Sequence, residues 1–147
     1  MESLTARLRR FVSERRAAPR YVVTHLERAL VVHITLGEQT PAAQQGRAEP
    51  RLVGYTRDVS ETGLGVVVPD VRLSGRLVVG PDRALRLRVG LPTGAVEMTA
   101  TAVRYAEPEG GESGYLVGVH IGEMSKADRA RYLAFINSLA VGEIKKQ

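Results

Sequence analysis

Two short polar stretches of the chain carry residue types that bind a charged, planar ligand. The first is an arginine pair, Arg15 and Arg16, followed after a short elbow by Arg20. Pro19 prevents a helix from continuing through the elbow and favours extended backbone at the residue before it. A guanidinium group offers a planar fork of donors that fits phosphate oxygens or a guanine edge, and its flat face stacks on bases. The guanidinium groups are therefore expected where a helix ends and an extended segment begins.

Taken alone, an arginine cluster of this kind is more often a solvated surface. The second polar stretch, residues 57–65, helps to decide between a solvated surface and a binding site. Asp58 offers two carboxylate oxygens that can accept from ring N–H groups, and Ser60 offers a small donor and acceptor. The same stretch is also typical of a tight strand turn, in which Gly63 adopts positive φ. As a binding loop, it would use Gly63 and Gly65 to let a flat ligand approach the backbone.

The composition indicates a single globular domain. The chain has 147 residues, of which 44% are hydrophobic and 25% charged, and this is enough for a core without disulfides or metal. It contains no cysteine, which excludes thiolate metal sites and cysteine nucleophiles. No apolar run is long enough to span a membrane, and the N-terminus lacks the apolar core of a signal peptide. We therefore expect a cytoplasmic protein without a membrane span.

The positive charge is concentrated at the N-terminus. Residues 1–20 hold six arginines and two glutamates, and so carry four of the five net positive charges. This distribution indicates a basic arm on a balanced domain, not a uniformly basic nucleic-acid binder. Apolar residues at helical spacing predict a short amphipathic helix over residues 2–14: Leu4, Leu8, Phe11 and Val12. It would pack on the side of the domain, the alternative being a membrane surface or a partner.

The remainder of the chain follows the two-residue period of β-strands. The predicted strands cover residues 20–36, 51–58, 64–68, 84–91, 96–105 and 115–121, with a flexible loop at 37–50 and turns at 69–70, 74–75, 92–94 and 107–113. Ser125 is the expected N-cap of a helix over residues 126–140, with Asp128 in place of the usual glutamate of a capping box. The expected buried stripe of this helix is Leu133, Ile136, Leu139 and Ala140.

This pattern predicts a mainly β fold. We expect a closed six-stranded antiparallel barrel with a C-terminal helix and a short N-terminal helical arm. The corresponding division of the chain is an arm at residues 1–14, the barrel and its helix at residues 15–142, and a tail at residues 143–147.

Together the two polar stretches resemble the signature of the PilZ domain family, which comprises cytoplasmic β-barrels that bind the bacterial second messenger cyclic di-GMP. The family pattern is RxxxR followed by (D/N)xSxxG at a strand turn. Residues 16–20 match the first motif and residues 58–63 the second, at every specified position. Residues 114–121 resemble the final strand of the family, although His120-Ile121 stands where an aromatic residue is frequent. The resemblance spans about residues 14–140.

The resemblance implies a role for each matched residue. Arg16 and Arg20 would clamp the phosphates and the Hoogsteen edge of guanine. Asp58 would accept hydrogen bonds from guanine N–H groups. Ser60 would hydrogen-bond the ligand, and Gly63 would let the backbone approach it.

Arg15, immediately before the first motif, implies that cyclic di-GMP binds as an intercalated dimer, because an extra guanidinium can stack on the additional base. We expect the ligand to neutralise the elbow and order the N-terminal arm, which changes the surface shown to a protein effector. The effector is unidentified, and motility, biofilm and exopolysaccharide control are all compatible with this role.

Other functions remain open at this point. A PilZ-like scaffold that binds proteins and ignores nucleotide is the main alternative, and the intact arginines count against it. Nucleic acid is not an expected partner, because single-strand binding surfaces use aromatic platforms and only 5% of the residues are aromatic. An enzyme is not expected either, because the histidines are scattered and no nucleophile–base pair can be placed. We expect no cofactor or metal, and either a monomer or a homodimer.

Overall fold

The computed structural model describes residues 21–22, 29–37, 50–107 and 113–145. The predicted N-terminal helix and the three arginines of the elbow lie outside these residues. The elements are β1 (Tyr21–Val22), β2 (Val31–Leu36), β3 (Leu52–Val59), β4 (Gly63–Val68), β5 (Arg72–Leu73), β6 (Arg76–Leu77), β7 (Leu85–Leu91), β8 (Gly94–Ala106), β9 (Tyr115–Met124) and the helix α1 (Lys126–Lys145).

Six strands close into an antiparallel barrel. Around the wall, β2 pairs with β7, β7 with β8, β8 with β9 and β9 with β4. The barrel closes because β3 pairs with β4 on one side and with β2 on the other. The short strand β1 pairs with the end of β3, where Tyr21 lies opposite Val59. The predicted mainly β fold, with a closed six-stranded barrel and a C-terminal helix, is confirmed.

Alternating side chains build the core, as β7 illustrates. Its buried residues alternate strictly with exposed Arg86 and Arg88, so one face of the strand points into the barrel and the other to solvent. Full burial of a valine or leucine contributes about 1.5–3 kcal/mol. Strand β4 differs because all six of its residues are buried. Its Val67 packs with Leu116 of β9 in a second, small cluster separate from the main core.

The start of α1 confirms one prediction and corrects another. The hydroxyl of Ser125 accepts a hydrogen bond from the amide of Asp128 at 3.1 Å, so Ser125 is the N-cap. The carboxylate of Asp128 does not complete a capping box. It accepts from the backbone amide of Glu97 in β8 at 2.9 Å instead, and thereby ties the first turn of the helix to the barrel.

The buried stripe of α1 is rotated relative to the predicted one. Tyr132 and Ile136 are buried at 0% and 3% exposure, and Phe135 and Leu139 pack against the core. The prediction was therefore right for Ile136 and Leu139. It was wrong for Leu133, which is partly buried like Leu139 but does not pack against the main core, because Tyr132 determines which side of the helix meets the barrel.

The strand prediction needs two further corrections. Where one long strand was predicted over residues 20–36, the structure has β1 and β2, and residues 23–28 lie outside the described part. The predicted turn at residues 74–75 is confirmed, but the strands β5 and β6 on either side of it were missed, because two-residue strands are too short to show alternation. Ser74 and Gly75 form this turn with φ of 54° and 77°, the left-handed geometry of a tight hairpin turn.

Within the described residues, α1 is the longest helix, and no helical segment there has both the length and the apolar character needed to cross a lipid bilayer.

Candidate functional site

A bulge at the end of β3 determines where Asp58 points. Strand β3 pairs with β4 first through Thr56 and Val66 and then through Asp58 and Gly65. Two steps along β3 therefore correspond to one step along β4, and Arg57 is the extra residue. A bulge of this kind bends the strand and changes the direction of the next side chain. It places Asp58 directly across from a glycine.

The carboxylate of Asp58 fills the space where Gly65 has no side chain. A Cβ atom at Gly65 would lie 2.9 Å from Oδ2, 3.0 Å from Oδ1 and 3.1 Å from Cγ of Asp58. We expected this glycine to leave room for a flat ligand, whereas the structure gives that room to the carboxylate. Gly65 is thus a positioning residue for Asp58, and sequence reasoning assigned it a different purpose.

Ser60 is fully buried, and its hydroxyl organises the turn between β3 and β4. Its Oγ atom accepts from the amides of Thr62 at 3.3 Å and Gly63 at 3.1 Å, and donates to the carbonyl of Gly63 at 3.3 Å. The amide of Ser60 donates to the same carbonyl at 2.9 Å. Short serine side chains commonly satisfy turn backbone in this way. These bonds hold residues 60–63 in one conformation.

Gly63 does not have the positive φ expected from the sequence. It begins the extended strand β4. Among the described residues, the glycines with positive φ are Gly75, Gly80, Gly94 and Gly114. The Ser60 hydroxyl shapes the turn without a left-handed residue at this position. Gly63 is buried against its surroundings and pairs with His120 of β9.

The C-terminal helix reaches the same turn through Tyr132. Its hydroxyl donates to the backbone carbonyl of Ser60 at 2.6 Å, and its ring is fully buried. Sequence reasoning did not single out this residue. The available signal was its spacing of four and seven residues from Ile136 and Leu139, together with the tendency of a buried tyrosine to find a hydrogen-bond partner.

The structure therefore brings the described site residues together: Asp58 lies at the end of β3, and Ser60 and Gly63 belong to the hydrogen-bonded turn that follows it. Val22 of β1 is the register partner of Asp58, on the side of β3 opposite Gly65. The other predicted site residues, Arg15, Arg16 and Arg20, lie outside the described residues. No group of three or more histidine or carboxylate residues within the described part is arranged to hold a metal ion.

Comparison with known proteins places this turn in a family context. The sequence profile of the PilZ domain matches residues 14–138. No curated protein matches the chain in sequence. Among solved structures, the chain is similar to the PilZ domain with c-di-GMP of YcgR from Escherichia coli, with 14% identity and a TM-score of 0.61 over 90% of this chain and 96% of that chain.

Two longer proteins contain a similar domain. The inhibitor of motility MotI/DgrA from Bacillus subtilis shares 19% identity with a TM-score of 0.59, over 90% of this chain and 53% of that chain. MrkH, described as a c-di-GMP dependence transcription regulatory factor, shares 14% identity with a TM-score of 0.51, over 90% of this chain and 52% of that chain. This chain thus spans about half the length of these two proteins, and at such identities the likeness shows a shared fold.

The family match covers most of the chain, including the turn at residues 58–63 and the strands on either side of it. The closed barrel followed by one helix agrees with the three solved structures. The chain belongs to the PilZ domain family.

Proposed function

We propose that this chain is a receptor for cyclic di-GMP that passes the signal to a protein effector. The observation that carries the proposal is the built turn between β3 and β4, in which Asp58 is held in place by a bulge and by the gap at Gly65. The PilZ domain of YcgR, whose structure contains c-di-GMP, supports the same ligand here. We propose a receptor and not an enzyme, acting in the cytoplasm.

The path of the chain supports a shared site for the turn and the arginine elbow. β1 begins at Tyr21, the residue after Arg20, and its Val22 lies opposite Asp58. Arg20 is therefore one residue away in the chain from a strand that pairs with the end of β3. We propose that Arg16 and Arg20 bind the phosphates and the guanine edge, where charge-assisted, bidentate hydrogen bonds are strongest.

The turn residues supply the other half of the site in this proposal. The carboxylate of Asp58 accepts from guanine N–H groups, which present donors that a carboxylate matches. Gly63 brings its backbone to the ligand without a side chain between them. Ser60 contributes by holding the turn, since its hydroxyl is buried and engaged with the backbone of Thr62 and Gly63.

Arg15 precedes the elbow and supports a bound dimer of cyclic di-GMP, in which a further guanidinium stacks on the additional base. Ligand binding would neutralise the basic arm and order residues 1–20 over the barrel, changing the surface that an effector meets. The free energy available for this change is limited to the difference in ligand affinity between the two arrangements.

Titration calorimetry with cyclic di-GMP tests the assignment. One charge-assisted contact contributes about 1.5–3 kcal/mol, so Arg16→Ala or Arg20→Ala should weaken binding roughly ten- to a hundredfold. Arg72→Ala, on the exposed face of β5, is the matched control and should bind like the unmodified chain. Absence of a binding heat with the unmodified, folded chain would favour the alternative, a PilZ scaffold that binds proteins only.

The same titration separates the dimer from a single bound ligand. The unmodified chain should take up ligand as a dimer, and Arg15→Ala should reduce the stoichiometry to a single ligand. An unchanged stoichiometry in Arg15→Ala removes the stacking role. Hydrogen exchange over residues 1–20 tests the arm, which should become protected when the ligand is added; equal exchange with and without ligand contradicts the ordering mechanism.

A further inference from the structure

One outer face of the barrel carries apolar, basic and acidic side chains in neighbouring stripes. The strand register places Val53 of β3 opposite His33 of β2, and His33 opposite Arg88 of β7. Arg88 in turn lies opposite Glu97 of β8. Directly opposed side chains on one sheet face are close neighbours. A row across four strands therefore changes from apolar to basic to acidic.

The apolar stripe is formed by three large exposed side chains. Val31, Val53 and Tyr55 are exposed by 50%, 45% and 46%. Val31 lies opposite Tyr55, and Val53 is two residues before Tyr55 on the same face of β3. Contiguous exposed apolar side chains on a folded domain mark interaction surfaces, whereas isolated ones do not.

The basic stripe lies beside it along a groove of about 400 Å³, lined by Arg51, Arg86 and Arg88 together with His33 and Thr35. Within the described part of the chain, none of these three guanidinium groups makes a hydrogen bond or an ion pair. Unengaged arginines that converge on a groove can bind carboxylates through two parallel hydrogen bonds.

The acidic stripe limits the groove on its far side. Glu97 lines the basic groove and also a neighbouring groove of about 580 Å³, which Glu123 and Asp128 border. A long polyanion laid along the arginines would run into these carboxylates. A partner that fits must therefore place negative charge locally, over the arginines, and not continuously.

We define the mixed face as Val31, Val53, Tyr55, Arg51, Arg86 and Arg88, and we propose that it docks a protein segment in which carboxylate side chains adjoin apolar ones. The apolar residues of the partner would cover the valines and Tyr55, and its carboxylates would enter the groove. Charge complementarity of this kind sets orientation and speeds association. The mixed face does not include the turn at residues 58–63, so this inference is independent of the proposed ligand.

The order of the stripes argues against a second copy of this chain as the occupant. In a two-fold symmetric interface, the stripes of one copy face the stripes of the other copy in the reverse order. Centred on the basic stripe, it would oppose arginine with arginine. Centred between the basic and acidic stripes, it would leave the apolar stripe uncovered. A different protein with a segment that is both acidic and apolar covers the apolar and basic stripes and ends before the carboxylates of the acidic one.

Fluorescence anisotropy with synthetic peptides tests the docking surface. The probe is a short peptide of alternating glutamate and leucine, compared with glutamate–serine and lysine–leucine peptides of the same length and with single-stranded oligothymidylate. We expect the glutamate–leucine peptide to bind most tightly, with an affinity that falls as salt rises. Nitrogen-15 NMR should place the largest shift changes on β2, β3 and β7.

Charge reversal locates the interaction. The double variant with Arg86→Glu and Arg88→Glu should bind the glutamate–leucine peptide about tenfold or more weakly than the unmodified chain. Arg72→Glu on β5 makes the same kind of charge change away from the mixed face and should leave affinity unchanged. Equal weakening by Arg72→Glu, equal binding of the glutamate–serine peptide, or binding of oligothymidylate in place of the peptide each overturns the proposal. So does the absence of binding at millimolar peptide.

Discussion

At the scale of single residues, the site depends on a carboxylate and a glycine that face each other across two strands. Asp58 comes directly after the bulged residue Arg57, and its side chain occupies the volume that any larger residue at position 65 would need. Gly65 therefore acts through Asp58 and does not itself need to touch a ligand. This pairing gives the second glycine, two positions after Gly63, a role in positioning Asp58.

Gly65→Ala tests this pairing. The added methyl group would lie about 3 Å from three atoms of the Asp58 carboxylate, closer than unstrained contacts allow, so the carboxylate must move. We expect cyclic di-GMP to bind about tenfold more weakly by calorimetry, similar to Asp58→Ala. Gly90→Ala is the matched control, because its Cβ would meet only the carbonyl of Val31 at 3.7 Å, an ordinary contact.

An unchanged affinity in Gly65→Ala, with the variant still folded by circular dichroism, would show that the position of Asp58 is not part of binding. A lowered affinity in Gly90→Ala would show that any extra strand methyl group perturbs the barrel. Either result removes Gly65 as a positioning residue.

At the scale of elements, α1 is attached to the barrel at three separate places. Asp128 accepts from the amide of Glu97. Arg131 donates to the carbonyls of Gly94 and Ala95, both at 2.7 Å. These contacts hold the first two turns of the helix on β8.

The third attachment is the hydrogen bond from Tyr132 to the carbonyl of Ser60, which connects the helix to the candidate site. Its donor belongs to α1 and its acceptor to the turn between β3 and β4, so the helix and the turn share a buried contact. A ligand that shifts the turn would therefore act directly on the helix.

Tyr132→Phe removes this hydrogen bond while keeping the ring. One intramolecular hydrogen bond contributes about 0.5–1.5 kcal/mol net, and we expect a loss of this size in denaturant unfolding. Tyr105→Phe is the control, because Tyr105 is 42% exposed and its edge-on contact with Tyr115 needs only the ring. Equal stability of the two variants would mean that the contact with Ser60 does not anchor the helix.

At the scale of the whole molecule, the candidate site and the mixed face lie on different parts of one closed wall. The site is at the β3–β4 turn, and the mixed face spans β2, β3 and β7. Closure gives each of the six barrel strands a paired neighbour on both sides, so a partner is expected to dock on side chains of the outer face and not to extend the barrel wall. A ligand and a protein partner can then occupy the domain together.

A ligand that binds only the folded domain must raise its stability. At a free concentration of cyclic di-GMP about a hundredfold above Kd, the gain is about 2.7 kcal/mol, or roughly 5–10 °C in Tm for a domain of this size. Differential scanning calorimetry should show this increase for the unmodified chain. Arg72→Ala should retain it and Asp58→Ala should lose most of it. A Tm that does not respond to ligand contradicts specific binding to the folded domain.

Much of the fold follows from the sequence because its causes are local. Leu85, Leu87 and Val89 are separated by single residues, both of them arginines. This pattern predicts a strand with one buried face, and β7 is that strand. Ser125 begins the helix through a hydrogen bond three residues away. The resemblance to the PilZ family likewise rests on two motifs that can be read without coordinates, and the family match supports it.

Only the tertiary structure decided how the motif residues are used. A serine and a glycine in a turn have several local options, and burial beneath α1 selected the one in which the Ser60 hydroxyl binds the turn itself. The role of Gly65 needed the bulge at Arg57, because a shift of one residue changes which side chains face each other.

The buried stripe of α1 was likewise determined partly by the sequence and partly by tertiary contacts. Its helical period was visible in the sequence, but the period alone allows a rotation of the helix about its axis. The hydrogen bond of Tyr132 to Ser60, 72 residues away in the chain, selects the rotation. Local periodicity and turn chemistry thus determine which elements form, while contacts between distant strands and the helix determine which side chains reach the candidate site.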